Sequence, residues 1–164
     1  MRPLDPDRVD TVVVHVTDSS FGNVDTIDKW HKENGWNMIG YHFLITNCFP
    51  TVQDLRDKSP DIFSDGAIHE ARPEEFQGAH VKGHNWHTIG IALVGQSANK
   101  KYNYGAMFTS KQLVSAAELI FDLEERFPMI RTVKGHHELD PGKGCPEIDM
   151  AHFRSILSEI RNGP

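Results

Sequence analysis

"TVVVHV", residues 11–16, is a run of β-branched residues with a single histidine near its end. Such a run, followed by the loop-forming "TDSSFGN", predicts a buried β-strand. "TIGIALVG" (88–95) is apolar throughout and is typical of a central strand of a sheet. "YHFLIT" (41–46), "AIHEARP" (67–73) and "MIRTVKG" (129–135) predict three further strands, the second of them half exposed.

Three helices are predicted between and after these strands. Their predicted N-caps are Asp25 or Thr26, Thr109, and Asp149. Thr109 and Gln112 form a capping box, and apolar residues at helical spacing continue from there to about Phe127. "SANKKYNYG" (97–105) predicts a loop. Because strands and helices interleave, the sequence predicts an α/β fold with a mixed central β-sheet flanked by helices.

Length and composition predict one domain spanning residues 1–164, and we expect a monomer. The net charge of -6 argues against a general nucleic-acid binder, which would normally present a basic face. "MRPLDPDRVD" at the start lacks the apolar region of a signal peptide, and the chain has no apolar run long enough to span a membrane. Cys48 and Cys145 are therefore not expected to form a disulfide.

"GHHELDPGKGCP" (135–146) concentrates metal-ligand chemistry in twelve residues. His136 and Cys145 are separated by a Pro-Gly pair that can turn the chain back, so both side chains can face one ion. Catalytic zinc commonly has three protein ligands and one open position. His15, held on a predicted strand, is the best third candidate, and the three residues together predict a metal site.

Other interpretations of the same residues stay open from spacing alone. His15 can be a hydrogen-bonded core histidine, and Cys145 a small buried apolar residue. Cys145 can also be a nucleophile with His136 as its base, as in a cysteine hydrolase. His84 and His87 form a second candidate metal pair, for which the sequence shows no third partner.

Four stretches resemble a known family. They are "VVVHVT" (12–17), "IDKWHKENGWNMIGYHF" (27–43), "GAHVKGHNWHTIGIALVG" (78–95) and "GHHELDPGKGCPEID" (135–149). Together they resemble the type 2 zinc-dependent N-acetylmuramoyl-L-alanine amidases, which share a fold with peptidoglycan recognition proteins. The resemblance is strongest to the phage branch, the lysozymes of T-odd phages, which act as amidases.

The resemblance implies that His15, His136 and Cys145 bind Zn²⁺, the same three residues that the chemistry indicates. It also implies that Tyr41, in "GYHF", and Lys143, in "GKGC", assist catalysis. The expected reaction hydrolyses the amide between the lactyl group of N-acetylmuramic acid and L-alanine of the stem peptide.

The resemblance further places His80, in "GAH", on the substrate groove, and Trp36 is a candidate for stacking on a sugar. Amidases of the cytoplasmic muropeptide-recycling branch carry an acid within the strand that matches "IGIALVG". This chain has Ala92 and no acid there, which favours the phage branch. Residues 47–64 are an insertion relative to the phage lysozymes, expected to contain at most a short helical turn.

We therefore expect a phage endolysin, made in the host cytoplasm and acting on the cell wall after holin-type release. Two alternatives are a non-catalytic peptidoglycan recognition module and a cytoplasmic recycling amidase. Recognition modules typically lose a ligand, especially the cysteine, whereas Cys145 is present. The T-odd lysozymes also bind their phage RNA polymerase, but the first ten residues here do not visibly match theirs.

Overall fold

The structure is a computed structural model, and it describes residues 1–96 and 108–163. A short 3-10 helix, Pro6–Arg8, precedes the first strand. The strands are β1 (Thr11–Val16), β2 (Phe43–Ile45), β3 (Ile68–Glu70), β4 (Thr88–Leu93) and β5 (Thr132–Gly135). The helices are α1 (Val24–Glu33), α2 (Val52–Asp57), α3 (Ser110–Arg126), α4 (His136–Leu139) and α5 (Met150–Asn162). All five predicted strands are present, and the loop predicted at 97–105 lies outside the described residues.

The strands form one mixed sheet in the order β3-β2-β4-β1-β5. β1 pairs in parallel with both β4 and β5, β2 pairs in parallel with β4, and only the β2–β3 pair is antiparallel. β4 and β1 are therefore interior strands, and every residue of each is buried. The prediction of a mixed α/β sheet with "TIGIALVG" near its centre is confirmed.

The two faces of the sheet are covered differently. α3 and α5 pack on one face, where a large apolar core includes Val12, Val14 and Ile120. α1 packs near the other face, where a smaller cluster contains Ile27 and Leu44. Since side chains alternate along a strand, β1 contributes to both faces.

Helix starts follow the predicted caps with one exception. Thr109 and Gln112 form the expected capping box of α3, and Asp149 caps α5. α1, however, begins after Asn23, whose side-chain oxygen accepts a hydrogen bond from the backbone N–H of Thr26 at 2.9 Å. The prediction of Asp25 or Thr26 as the cap was wrong, because Asn23 is the residue in extended conformation.

The polar segment 47–64 contains one short helix, α2, as the sequence indicated. Its beginning is attached to the loop that follows β1. Asn47 donates to the carbonyl of Ser20, and Asn23 donates to the carbonyl of Pro50. The segment therefore borders the end of β1 that carries His15. Among the described residues, no helix has both the length and the apolar character needed to cross a membrane.

Candidate metal centre and active site

Two of the predicted metal ligands are brought together by a short helix and a turn. β5 leads directly into α4, whose first residue is His136. The backbone N–H of Lys143 donates to the carbonyl of Asp140 at 2.9 Å, which closes a turn through Pro141 and Gly142. The chain then returns to Cys145. The predicted Pro-Gly turn thus brings the two ends of this segment back towards each other.

His15 reaches the same point from the middle of the sheet. One donor atom from each of His15, His136 and Cys145 lies within 4.8 Å of the other two. The Cys145 Sγ is 3.9 Å from His15 Nδ1, and the two imidazole centroids are 4.7 Å apart. A tetrahedral zinc site needs donors about 3.5 Å apart, given zinc–nitrogen and zinc–sulfur bonds of about 2.0 and 2.3 Å. Both the donor types and their spacing fit a zinc ion.

The electrostatic environment favours metal ligands over a cysteine nucleophile. Burial lowers the pKa of His15 well below its usual value and also lowers the pKa of His136, so both are neutral ligands at pH 7. Burial raises the pKa of the Cys145 thiol to about 11. An activated nucleophilic thiol has a lowered pKa, whereas a bound metal would deprotonate this thiol directly. Burial of the thiol therefore disfavours the cysteine-hydrolase interpretation.

Tyr41 and Lys143 are the two residues expected to assist catalysis, and each is near one of the candidate ligands, Tyr41 in space and Lys143 in sequence. The Tyr41 ring is 5.0 Å from the His15 ring, and burial raises its pKa, so it remains a phenol that can donate a proton. Lys143 is exposed on the turn. It lies two residues before Cys145 along the chain.

A row of rings connects the surface to this centre. Trp36 is 42% exposed and stacks near His31, with 4.4 Å between ring centroids. His31 in turn lies 5.3 Å from Tyr41. The exposed indole forms the outer end of this row of rings, and its role in stacking on a sugar stays a prediction.

His80 is not placed as the resemblance implied. It is only 6% exposed, and its Nδ1 is 2.9 Å from Nε2 of His15. The ring lies behind His15, on the side away from Cys145. A side chain this enclosed does not line an open groove, and its contact is instead with His15, a candidate metal ligand.

Two further residues hold the ligand segment and carried no local signal in the sequence. Glu138 accepts hydrogen bonds from the backbone N–H of Gly135 and from Arg154 of α5, at 2.8 and 2.9 Å. This pair ties the helix that carries His136 to the core. The sequence could not reveal it, because Arg154 lies sixteen residues away on another helix.

The other candidate metal pair is arranged differently. His84 Nδ1 and His87 Nε2 are 3.2 Å apart, and His87 Nδ1 is 2.7 Å from the carboxylate of Asp10. Within 1–96 and 108–163, His15, His136 and Cys145 are the one group with three converging donors.

A family model described as N-acetylmuramoyl-L-alanine amidase matches residues 5–147. The chain belongs to this amidase family. It is similar to the endolysin of Escherichia phage T7, with 32% identity over 150 residues that cover 90% of this chain and 86% of the relative. The family match includes all three candidate ligands of this amidase.

Solved structures agree with this membership. The chain superposes on the N-acetylmuramoyl-L-alanine amidase LysC from Clostridium intestinale with a TM-score of 0.71 and 27% identity, covering 95% of this chain and 90% of LysC. It also superposes on bumblebee PGRP-SA with a TM-score of 0.65 and 24% identity, covering 89% and 79%. The second likeness shows that this amidase shares its fold with peptidoglycan recognition proteins.

Proposed function

We propose that this chain is a zinc-dependent endolysin that hydrolyses the amide between the N-acetylmuramic acid lactyl group and L-alanine of the stem peptide. One observation carries the proposal. In a chain of the amidase family, two neutral imidazoles and one thiol converge beside a partly exposed tyrosine. The relatives named as endolysins support the assignment of host lysis.

His15, His136 and Cys145 would hold the zinc. When bound, zinc supplies Lewis acidity, which lowers the pKa of water and polarises a carbonyl. The protein's own part is to keep the two imidazoles neutral and the thiol enclosed. Burial does both, because it disfavours the imidazolium forms and shields the sulfur from solvent.

Tyr41 and Lys143 would act on the substrate. The Lys143 ammonium, at the rim of the site, would stabilise the negative charge that develops on the carbonyl oxygen. The Tyr41 hydroxyl, kept protonated by burial, would donate to the same oxygen or pass its proton to the departing amine of L-alanine. The proposal is supported by the 5.0 Å separation of the Tyr41 and His15 rings and by the position of Lys143 two residues before Cys145.

The two alternative functions, a non-catalytic recognition module and a recycling amidase, fit the observations less well. A recognition module needs no thiol, yet Cys145 is present and lies with two histidines. A recycling amidase is expected to carry an acid where this chain has Ala92, which is buried and apolar. The phage endolysins are at least 32% identical over most of this chain, whereas the PGRP-SA likeness is a likeness of fold.

We also propose that the enzyme is made in the host cytoplasm and reaches the wall through a holin-type lesion. Expressed alone in a Gram-negative host, it should leave cells intact until the inner membrane is permeabilised, after which turbidity should fall rapidly. Lysis without permeabilisation would contradict the need for release.

Mass spectrometry of fragments released from purified sacculi tests the activity. The proposal predicts stem peptides with free L-alanine amino termini and intact glycan strands. New reducing sugar ends would identify a glycosidase instead. Unchanged sacculi, with the protein bound to them, would identify a recognition module.

A further inference from the structure

His15 has two ring nitrogens, and a metal ligand can use only the one that carries no proton. Nδ1 faces Cys145 at 3.9 Å, so it is the donor atom for the metal. Nε2 faces His80 Nδ1 at 2.9 Å. For Nδ1 of a neutral His15 to be bare, Nε2 must carry the proton and donate it to His80.

His80 can accept that hydrogen bond only if its own proton lies on Nε2. Because Nδ1 accepts the hydrogen bond from His15, the one ring position left for a proton is Nε2. Its Nε2 lies 3.3 Å from the hydroxyl of Thr88, the first residue of β4. The location of the His80 proton therefore depends on whether Thr88 accepts or donates.

Thr88 has one hydroxyl proton and two possible partners. Its oxygen lies 3.0 Å from the carbonyl of His84, nearer than the 3.3 Å to His80 Nε2. A carbonyl oxygen can only accept, so the Thr88 proton goes to His84 and the Thr88 oxygen is left to accept from His80. Each hydrogen bond in the series His84–Thr88–His80–His15 then has a defined donor and acceptor.

We infer that Thr88 and His80 are positioning residues that fix His15 as the Nε2–H tautomer and so present its bare Nδ1 to the metal. The inference rests on the proposed function, which supplies the metal. Both ends of this series of hydrogen bonds, from the His84 carbonyl to His15, require the same direction of donation. At one end the His84 carbonyl oxygen accepts the proton of the Thr88 hydroxyl. At the other end the metal needs the lone pair of His15 Nδ1. The reverse direction would place a proton on His15 Nδ1 and block binding.

The surroundings of His80 fit its ring closely. A Cβ added at Gly78 would lie 2.2 Å from the ring, and a Cβ added at Gly90, within β4, would lie 2.6 Å from it. The backbone N–H groups of His80 and Val81 both donate to the side-chain oxygen of Asn85, which holds the turn. Gly90, the glycine in "TIGIALVG", thus makes room for the His80 ring.

The tautomers can be observed directly by long-range ¹H–¹⁵N NMR of the imidazole nitrogens. We expect His80 to be protonated at Nε2 and bare at Nδ1 in both the metal-free and the zinc-loaded protein, and zinc-loaded His15 to be protonated at Nε2. A proton on His80 Nδ1 would overturn the inference. Because the metal-free protein is measured as well, this outcome does not depend on whether zinc binds.

Substitutions of Thr88 measure how much this hydrogen bonding contributes to zinc affinity. Thr88→Val removes the acceptor, and its zinc dissociation constant, measured by chelator competition, should rise about 10-fold or more. Thr88→Ser keeps the hydroxyl and should stay within about twofold of the parent. Thr11→Val is the matched control. Thr11 pairs in register with Thr88, but its hydroxyl bonds Asp10 and Thr132.

The outcomes separate the two proposals. If the parent protein binds no zinc, the proposed function fails, and the metal-free tautomer of His80 still decides the inference. If the parent binds zinc and Thr88→Val binds it equally well, the inference fails and the metal site stands. Equal weakening of Thr88→Val and Thr11→Val would assign the effect to strand packing and overturn the role of the hydroxyl.

Discussion

The two faces of the central sheet use the same strands for different purposes. Beneath α3 and α5, β1 contributes Val12 and Val14 to a core built almost entirely of hydrocarbon. On the opposite face the same strand contributes His15, which contacts the rings of His80 and Tyr41. The first face stabilises the fold through apolar burial. The second holds buried polar groups, and both ring nitrogens of His42 and of His80 have a hydrogen-bond partner.

This difference predicts that substitutions on one face change the stability of the fold and substitutions on the other change zinc binding or turnover. A change on the hydrocarbon face should lower the free energy of unfolding and leave zinc affinity unchanged. A change on the histidine face should remove zinc or turnover from a protein that still folds.

Cys145→Ser should eliminate amidase activity, because the serine hydroxyl is a poor zinc ligand at neutral pH. Zinc content measured by elemental analysis should fall from one per chain to near zero. Cys48→Ser is the matched control, since Cys48 is the other free cysteine and lies in the 47–64 segment. Full activity of Cys145→Ser would contradict the ligand assignment.

Lys143→Ala should lower kcat by about 10²–10³-fold, the usual cost of removing one group that stabilises a developing oxyanion. Zinc content should not change, because the ammonium is not a ligand. Lys29→Ala, on the exposed side of α1, should behave as the parent. Loss of zinc together with activity would show that Lys143 acts on the ligands instead.

Ile120→Ala tests the hydrocarbon face. Ile120 is fully buried in α3, so its truncation should lower the free energy of unfolding by about 2–5 kcal/mol, as measured by urea denaturation. At temperatures where the variant is folded, kcat and zinc affinity should match the parent. A large change in zinc affinity would mean that the two faces are coupled.

Acid should destabilise the metal-free protein through the histidine face. Burial lowers the pKa of His42 to about 4, from an ordinary value of 6.5. Between these values the unfolded chain binds the proton and the folded chain does not, so stability falls as pH falls. From pH 7 to pH 5 the loss from His42 alone should be about 2 kcal/mol.

Urea denaturation at the two pH values measures this loss. His42→Gln should show a smaller difference, because the titrating group is removed. His15 and His80, whose pKa values are also lowered by burial, should still contribute in the same direction. A parent protein that is more stable at pH 5 would contradict this role of buried histidines.

Trp36→Ala should have the smallest effect. The indole lies at the exposed end of the ring row and away from the ligands, so its loss should raise KM for peptidoglycan a few-fold and leave kcat unchanged. Trp86→Ala, a residue of equal exposure beside Arg8 and His87, is the control. A fall in kcat alone would argue against a role in binding.

The hydrocarbon face was predictable from the sequence because its signals are local. The apolar run of β4, the capping box at Thr109 and the cap at Asp149 each lie within a few residues of the element they define. The cap of α1 was missed, because Asn23, Asp25 and Thr26 are all plausible caps and only backbone conformation selects among them.

The histidine face was predictable only in part. His136 and Cys145 are linked by one turn, so their convergence follows from local chemistry. His80 instead meets His15 across 65 residues, and its burial depends on space left by Gly78 and Gly90. No periodicity or spacing reports such a contact. The family resemblance implied a groove position for His80, whose ring the fold encloses.

X-ray absorption at the zinc K-edge of the purified enzyme tests the metal centre most directly. We expect one sulfur scatterer at about 2.3 Å and two imidazole nitrogens at about 2.0 Å, with the remaining position filled by a light atom. A first shell without sulfur, or with three or more imidazoles, would contradict a centre built from His15, His136 and Cys145.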